Sequence, residues 1–123
     1  MLRRRSRDYV DNFLKEKKDW KILDLGGGRD AWTVATDVAD FEDYTDFYPN
    51  KRFVQTDGHK TPFEDKEFDF VLCSHVIEHV VDPIGFCREM ERISHRGYLE
   101  FPTPFFDNFC HGNDGALPHG HIW

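Results

Sequence analysis

The chain has 123 residues, 39% of them apolar and twelve of them Phe, enough for one compact domain and too few for two. Sixteen basic against 23 acidic side chains leave a net charge of -7. That argues against a general nucleic-acid binder, because phosphate attraction needs clustered Lys and Arg. The basic run at Arg3, Arg4, Arg5 and Arg7 reads as a solvated end. No apolar stretch approaches the ~20 residues of a membrane helix, and no apolar h-region follows the charged start. Cys73, Cys87 and Cys110 show no CxxC spacing, so the expected setting is reducing and cytoplasmic.

Residues 6–18 carry Tyr9, Val10, Phe13 and Leu14 as an apolar stripe among charged neighbours, which predicts a helix. Lys21-Ile22-Leu23-Asp24-Leu25 reads as a short buried strand, stopped by Gly26-Gly27-Gly28. Thr33-Val34-Ala35-Thr36 reads as a second strand and Arg52-Phe53-Val54-Gln55 as a third. The clearest strand is Phe68-Asp69-Phe70-Val71-Leu72-Cys73, entered from the turn-rich segment 61–67. Asp82 and Pro83 then supply an N-cap and a first-turn proline. The helix beyond them is expected to bury Ile84, Cys87, Met90 and Ile93. Gly97-Tyr98-Leu99-Glu100-Phe101 is the fifth strand, ended by Pro102-Thr103-Pro104.

Short apolar strands separated by helices or long connections indicate a parallel α/β sheet, in which ligands bind beyond the carboxyl ends of the strands. The residues after each strand therefore carry the chemistry. The glycines of the first turn permit a sharp bend and a close ligand approach. Gly26, Gly28 and Ala31 also satisfy the dinucleotide spacing G-x-G-x-x-A. Two features oppose a dinucleotide. Asp24 would crowd a pyrophosphate and suits a cationic or amine-bearing ligand, and no convincing helix follows the turn. Asp37, with Asp40, Glu42 and Asp43 behind it, is placed to accept the two hydroxyls of a ribose. Asp57, after the third strand, suits an exocyclic amine such as that of adenine, and Gly58 and His59 lie beside it.

His75, Glu78 and His79 spell H-x-x-E-H, the pattern of an inverted zinc peptidase, so a zinc hydrolase is one alternative. Its context is unfavourable, because these residues follow a buried strand and no acidic third ligand stands on a later helix. Cys110, His111, His119 and His121 lack regular ligand spacing and read as a substrate-side or interface loop, so no metal ligands are assigned.

Taken together, the run from Ile22 to Gly28, Asp37, Asp57-Gly58 and the run from Phe68 to Val80 resemble the class I S-adenosylmethionine-dependent methyltransferases of the small-molecule, ubiquinone-biosynthesis-like type. The segment 61–69 resembles that family's linker into the fourth strand, and Asp82-Pro83 its following helix start. The resemblance covers roughly residues 21–104 of a single domain spanning 1–123, and leaves 105–123 as an aromatic and His-rich tail. It implies a Rossmann-like, mostly parallel sheet of about five strands, order 3-2-1-4-5, with flanking helices. S-adenosylmethionine is the implied cofactor and S-adenosylhomocysteine its product.

Carried over residue by residue, Asp24 and the Gly26, Gly27 and Gly28 backbone would face the methionine part of the cofactor. Asp37 would hold the ribose, Asp57 with Gly58 and His59 the adenine, and Ser74 and His75 the floor below the sulfonium. His75, with His79 in reserve, would be the general base where the acceptor needs deprotonation. The first crossover helix is shortened, and nothing after Pro104 reads as the family's final strands. The expectation is a truncated chain, or a fifth-strand edge covered by a second copy. The implied reaction is methyl transfer to a small-molecule or glycan-like acceptor, with no nucleic-acid or membrane partner. The alternative within the family is a cofactor-binding module that is inactive or needs a partner.

Overall fold

Side chains alternate across a strand, so the inner strands of a parallel sheet must be apolar on both faces. The computed structural model, which describes residues 5–102, shows this in β1 (Ile22–Leu25) and β4 (Phe70–Ser74), buried almost throughout. They are joined by β2 (Asp37–Asp40), β3 (Arg52–Gln55) and β5 (Gly97–Glu100). All pairs are parallel, and the order is β3-β2-β1-β4-β5. Among the described residues two α-helices flank the sheet, α1 (Arg5–Lys15) and α2 (Pro83–Ile93). The expected five-stranded, Rossmann-like order is what the chain adopts.

Alternation also divides the core. Ile22, Phe70 and Leu72 join Leu14 of α1 with Trp32 and Ala35. Leu23, Leu25, Val71 and Cys73 join Phe86, Met90 and Ile93 of α2 with Phe63 and Phe68. At ~25 cal/mol per Å² of apolar surface, these two layers are the main favourable term of folding.

The second strand lies four residues later than its β-branched sequence suggests. Residues 33–36 form a turn, in which the Ala35 amide donates to the Trp32 carbonyl at 3.0 Å. Pairing with β1 begins only at Asp37, opposite Leu23. Among the described residues no helix connects β1 to β2, and β2 to β3 is crossed by one 3₁₀ turn, Thr45–Phe47. Tyr48 does the work of a helix there. Its hydroxyl donates to the Gly28 carbonyl at 2.5 Å and accepts from the Ala31 amide at 3.0 Å, while its ring stacks on Phe53.

The α2 start is as expected: the Asp82 carboxylate accepts from the Gly85 amide at 2.9 Å, with Pro83 in the first turn. The buried face is rotated, however. Phe86, Glu89, Met90 and Ile93 face inward, while Ile84 and Cys87 are exposed. Glu89 turns inward because it is fully bonded there. It accepts from the Thr61 amide at 2.9 Å and hydroxyl at 2.7 Å, and from Arg92 at 2.6 and 2.9 Å. Arg92 also donates to the Phe63 carbonyl and to Asp65, so one ion pair fastens the β3–β4 connection onto α2. Residues 103–123, including the Cys110 and histidine tail, lie outside the described residues. Among the described residues no helix is long and apolar enough to cross a membrane.

Hydrogen bonds from Arg92 hold the Glu89 carboxyl down at about 2, against an ordinary value of 4.5. A depressed carboxyl stabilises the fold above its ordinary value and loses that contribution as the pH falls from there toward 2. Glu89→Gln is therefore expected to cost about 2 kcal/mol at pH 7, and progressively less as the pH is lowered through 4 toward 2. Denaturant unfolding of both proteins over that range measures the difference.

Candidate functional site

The five strands run in one direction, so their carboxyl ends form a single rim. There the backbone leaves the sheet at Gly26, Phe41, Thr56, His75 and Phe101. An open cleft of about 590 Å³ lies along this rim. Its volume falls in the range of small-molecule and cofactor pockets, ~300–1,000 Å³.

The bend after β1 forms one wall. Gly26 has φ +83°, and a Cβ there would stand 2.2 Å from Val76 Cγ2, so only glycine fits. Three amides of the bend are tied to β2. Gly26 and Gly27 donate to the Ala39 carbonyl at 2.7 and 3.3 Å, and Gly28 donates to Asp40 Oδ2 at 2.9 Å. With these amides occupied and no helix behind them among the described residues, the bend lacks the free N–H groups and helix dipole that cradle a pyrophosphate. The dinucleotide reading is thereby disfavoured.

Asp40, at the end of β2, lines the cleft together with the exposed Phe41. Its Oδ1 also accepts from the Glu42 amide. Asp37, the expected ribose acid, is the first residue of β2 and stands at the opposite end of the strand, roughly 10 Å away at ~3.3 Å per residue. It is paired there with Arg52 at 2.9 Å and accepts from the Thr36 hydroxyl at 2.7 Å. Sequence reading missed Asp40 as the strand-end acid because it placed β2 too early; the signal was present in the apolar Val38-Ala39 pair just before it.

From β3, Thr56, Asp57, Gly58 and His59 line the cleft beside Phe86 of α2. A Cβ at Gly58 would lie 2.2 Å from the Phe86 ring. Asp57 Oδ1 accepts from the His59 amide at 2.9 Å and meets His59 Nδ1 at 2.8 Å, and these contacts hold its carboxyl below the ordinary range.

His75, the first residue beyond β4, has φ +56°, a left-handed conformation rare for residues with a side chain. Its amide donates to the Glu100 carbonyl at 2.7 Å. Its ring nitrogens lie 3.6 Å from buried Glu78 and 3.5 Å from Glu100, and His79 Nε2 lies 3.9 Å from Glu78. Both histidines line the cleft, together with Val76, Val80 and Val81. A zinc peptidase needs its two histidines displayed on one helix. Here His75 precedes, and His79 ends, a single 3₁₀ turn, Ile77–His79. Among the described residues no three His, Cys, Asp or Glu side chains are grouped so as to hold a metal.

Two expected contributors stand behind the wall. Asp24 is 2% exposed and accepts from the Trp32 amide at 2.8 Å. Its side chain lies under Gly27, and burial pushes its carboxyl up to about 6. Ser74 accepts from the Trp32 indole N–H at 3.3 Å and meets Glu100 at 3.4 Å. The Arg7 guanidinium sits 4.3 Å over the Trp32 ring, joining α1 to this support. Thus Gly26, Asp57, Gly58, His59, His75 and His79 come together around the cleft. Asp24 and Ser74 brace it, and Asp37 lies elsewhere.

A family model described as a methyltransferase domain matches residues 23–100. No curated protein matches the chain. Among solved structures, a protein from Pyrococcus horikoshii OT3 is 24% identical with a TM-score of 0.59, over 77% of this chain and 57% of that one. A SAM-dependent methyltransferase from Aquifex aeolicus is 16% identical, TM-score 0.55, over 71% and 57%. The trans-methyltransferase CalH, in complex with SAH, is 18% identical, TM-score 0.58, over 73% and 34%. At these identities the likeness is one of fold. The chain spans about a third to a little over half the length of these structures.

Raising a buried carboxyl makes its ionisation costly, so Asp24 favours the fold below its ordinary value of 3.8 and loses that contribution as the pH rises through about 6. Asp24→Asn keeps an acceptor for Trp32 and removes the charge. The variant is expected to gain about 1–2 kcal/mol over the natural chain above pH 7 and nothing below pH 4. Gly26→Ala, by contrast, is expected to lose about 2–3 kcal/mol at every pH, from its backbone conformation and the Val76 clash. Chemical unfolding at pH 3.5 and 7.5 distinguishes the two.

Proposed function

Because the chain belongs to the methyltransferase-domain family, we propose that it binds S-adenosylmethionine in the cleft along the carboxyl rim and directs methyl transfer to a small-molecule acceptor. The observation that carries this reading is the meeting of Gly26, Asp40, Asp57 and His75 around one cleft of about 590 Å³. Carboxylates near a cation are favoured by Coulomb attraction, which suits a sulfonium and disfavours a phosphate. The cleft's size suits an adenosyl ligand.

Within this proposal Asp40 takes the role first expected of Asp37 and accepts the ribose hydroxyls. Asp57 accepts from the adenine amine, with Gly58 leaving room for Phe86 beside it. Gly26 gives the cofactor's sulfonium side a wall without a side chain. When bound, S-adenosylmethionine supplies an electrophilic methyl group for in-line attack. The chain's own work is positioning the acceptor and excluding water, through Val76, Val80 and Phe86 at the cleft. Where the acceptor arrives protonated, His75 takes that proton, with His79 as the second candidate. A cytoplasmic setting belongs to the same proposal and rests on the cysteine usage.

A second reading is a module that binds the cofactor but turns over only with a partner. Cofactor affinity without turnover across a broad acceptor panel supports that reading, and turnover by the chain alone excludes it.

Titration calorimetry with S-adenosylhomocysteine tests the cleft itself. Asp40→Asn is expected to weaken binding by about tenfold or more, as for loss of a charge-assisted hydrogen bond. Asp37→Asn is expected to leave affinity within about twofold, because that side chain stands at the other end of β2. Absence of saturable binding to the natural chain would remove the proposal.

A further inference from the structure

His59 stands out among the cleft residues because both of its ring nitrogens are engaged. Nδ1 lies 2.8 Å from Asp57 Oδ1, and Nε2 lies 2.8 Å from the Asp82 main-chain carbonyl. A carbonyl oxygen only accepts, so Nε2 must carry a hydrogen to bond it. An ionised carboxylate also only accepts, so Nδ1 must carry one as well. Both contacts are satisfied together only by the imidazolium form. The ring spans two elements. Asp57 follows β3, and Asp82 is the N-cap of α2, its side chain already given to the Gly85 amide. The ring centroid lies 5.7 Å from that of Phe86, at 75° between planes.

We propose that His59 is a positioning residue of the adenosyl cleft: its imidazolium clips the acid at the end of β3 to the start of α2 and keeps Asp57 ionised and oriented for the ligand. The inference rests on the proposed cofactor reading and adds a dependence which that reading lacks. Both bonds from His59, amide and ring, fall on Oδ1 of Asp57, which leaves Oδ2 to a ligand amine. When the ring loses a proton, one of its two contacts must go. Asp57 then loses its charge-assisted partner, or the loop loses its tie to α2. Either change loosens the same wall. The facing charged groups are Asp57 and Asp82, and both favour the cation, in keeping with a ring held above the ordinary histidine range. Of the other titratable groups lining the cleft, His75 and His79 come from the β4 side and Asp40 from β2.

The test compares S-adenosylhomocysteine affinity at pH 6 to 9 in the natural chain and in His59→Gln, which donates to one partner but does not titrate. His75, His79, Asp40 and the ligand's own groups are common to both proteins, so the difference in profile isolates His59. The natural chain is expected to weaken by about tenfold across the range, as for one lost charge-assisted bond. His59→Gln is expected to bind at the weaker level at all values, without that step. Parallel profiles, or no step in the natural chain, would overturn the inference. The clip is also read without ligand, by NMR titration of the His59 ring. Its midpoint is expected above the ordinary value near 6.5 and to fall in Asp57→Asn. An unshifted midpoint in that variant would overturn the clip. A shifted midpoint with no ligand binding at any pH would leave the clip standing and remove the cofactor reading.

Discussion

The amides of Gly26, Gly27 and Gly28 moor the first bend to the end of β2, and the rest of the site depends on this mooring. In a doubly wound sheet, a helix after the first strand would ordinarily fix the bend. This chain has none among its described residues and uses the Ala39 carbonyl and the Asp40 carboxylate instead. The consequence is chemical as well as structural. Amides bonded to the protein are withdrawn from any anionic ligand, while the carboxylate that receives one of them is held at the mouth of the cleft. A rim built this way favours hydroxyls, amines and a sulfonium over a diphosphate.

The crossover without a helix is sustained by side chains that bridge what the backbone leaves open. Trp32 gives its amide to Asp24 and its indole N–H to Ser74, so one residue connects the first strand, the loop and the fourth strand. Tyr48 closes the loop from the other side through Gly28 and Ala31. Burying Asp24 behind this loop costs stability at neutral pH. The chain accepts that cost next to its cleft, where backbone strain at His75 is also found.

The strands that pair in the middle of the sheet were legible because long-range burial demands what their sequences display. Arg52 to Gln55 and the Asp82-Pro83 helix start matched the structure residue for residue, since cap and turn chemistry act locally. The second strand was misplaced because Thr33 and Val34 have strand propensity while the tertiary bonds of Trp32 hold them in a turn. That misplacement put Asp37 at the strand's carboxyl end, where the fold has Asp40. The inward face of α2 was misread for a related reason. Glu89 is buried by a partner, Arg92, and by Thr61 across the connection, a pairing invisible to an apolar periodicity. His59 was legible as a neighbour of Asp57, but its bond to the Asp82 carbonyl belongs to the fold alone.

A crystal structure of the chain soaked with S-adenosylhomocysteine tests the central claim most directly. The account predicts the ligand along the carboxyl rim, with its ribose hydroxyls on Asp40, its adenine amine facing Asp57 and its sulfur side against Gly26. A ligand bound on the Asp37 and Arg52 end of the sheet, or making no contact with Asp40 in the cleft, would contradict it.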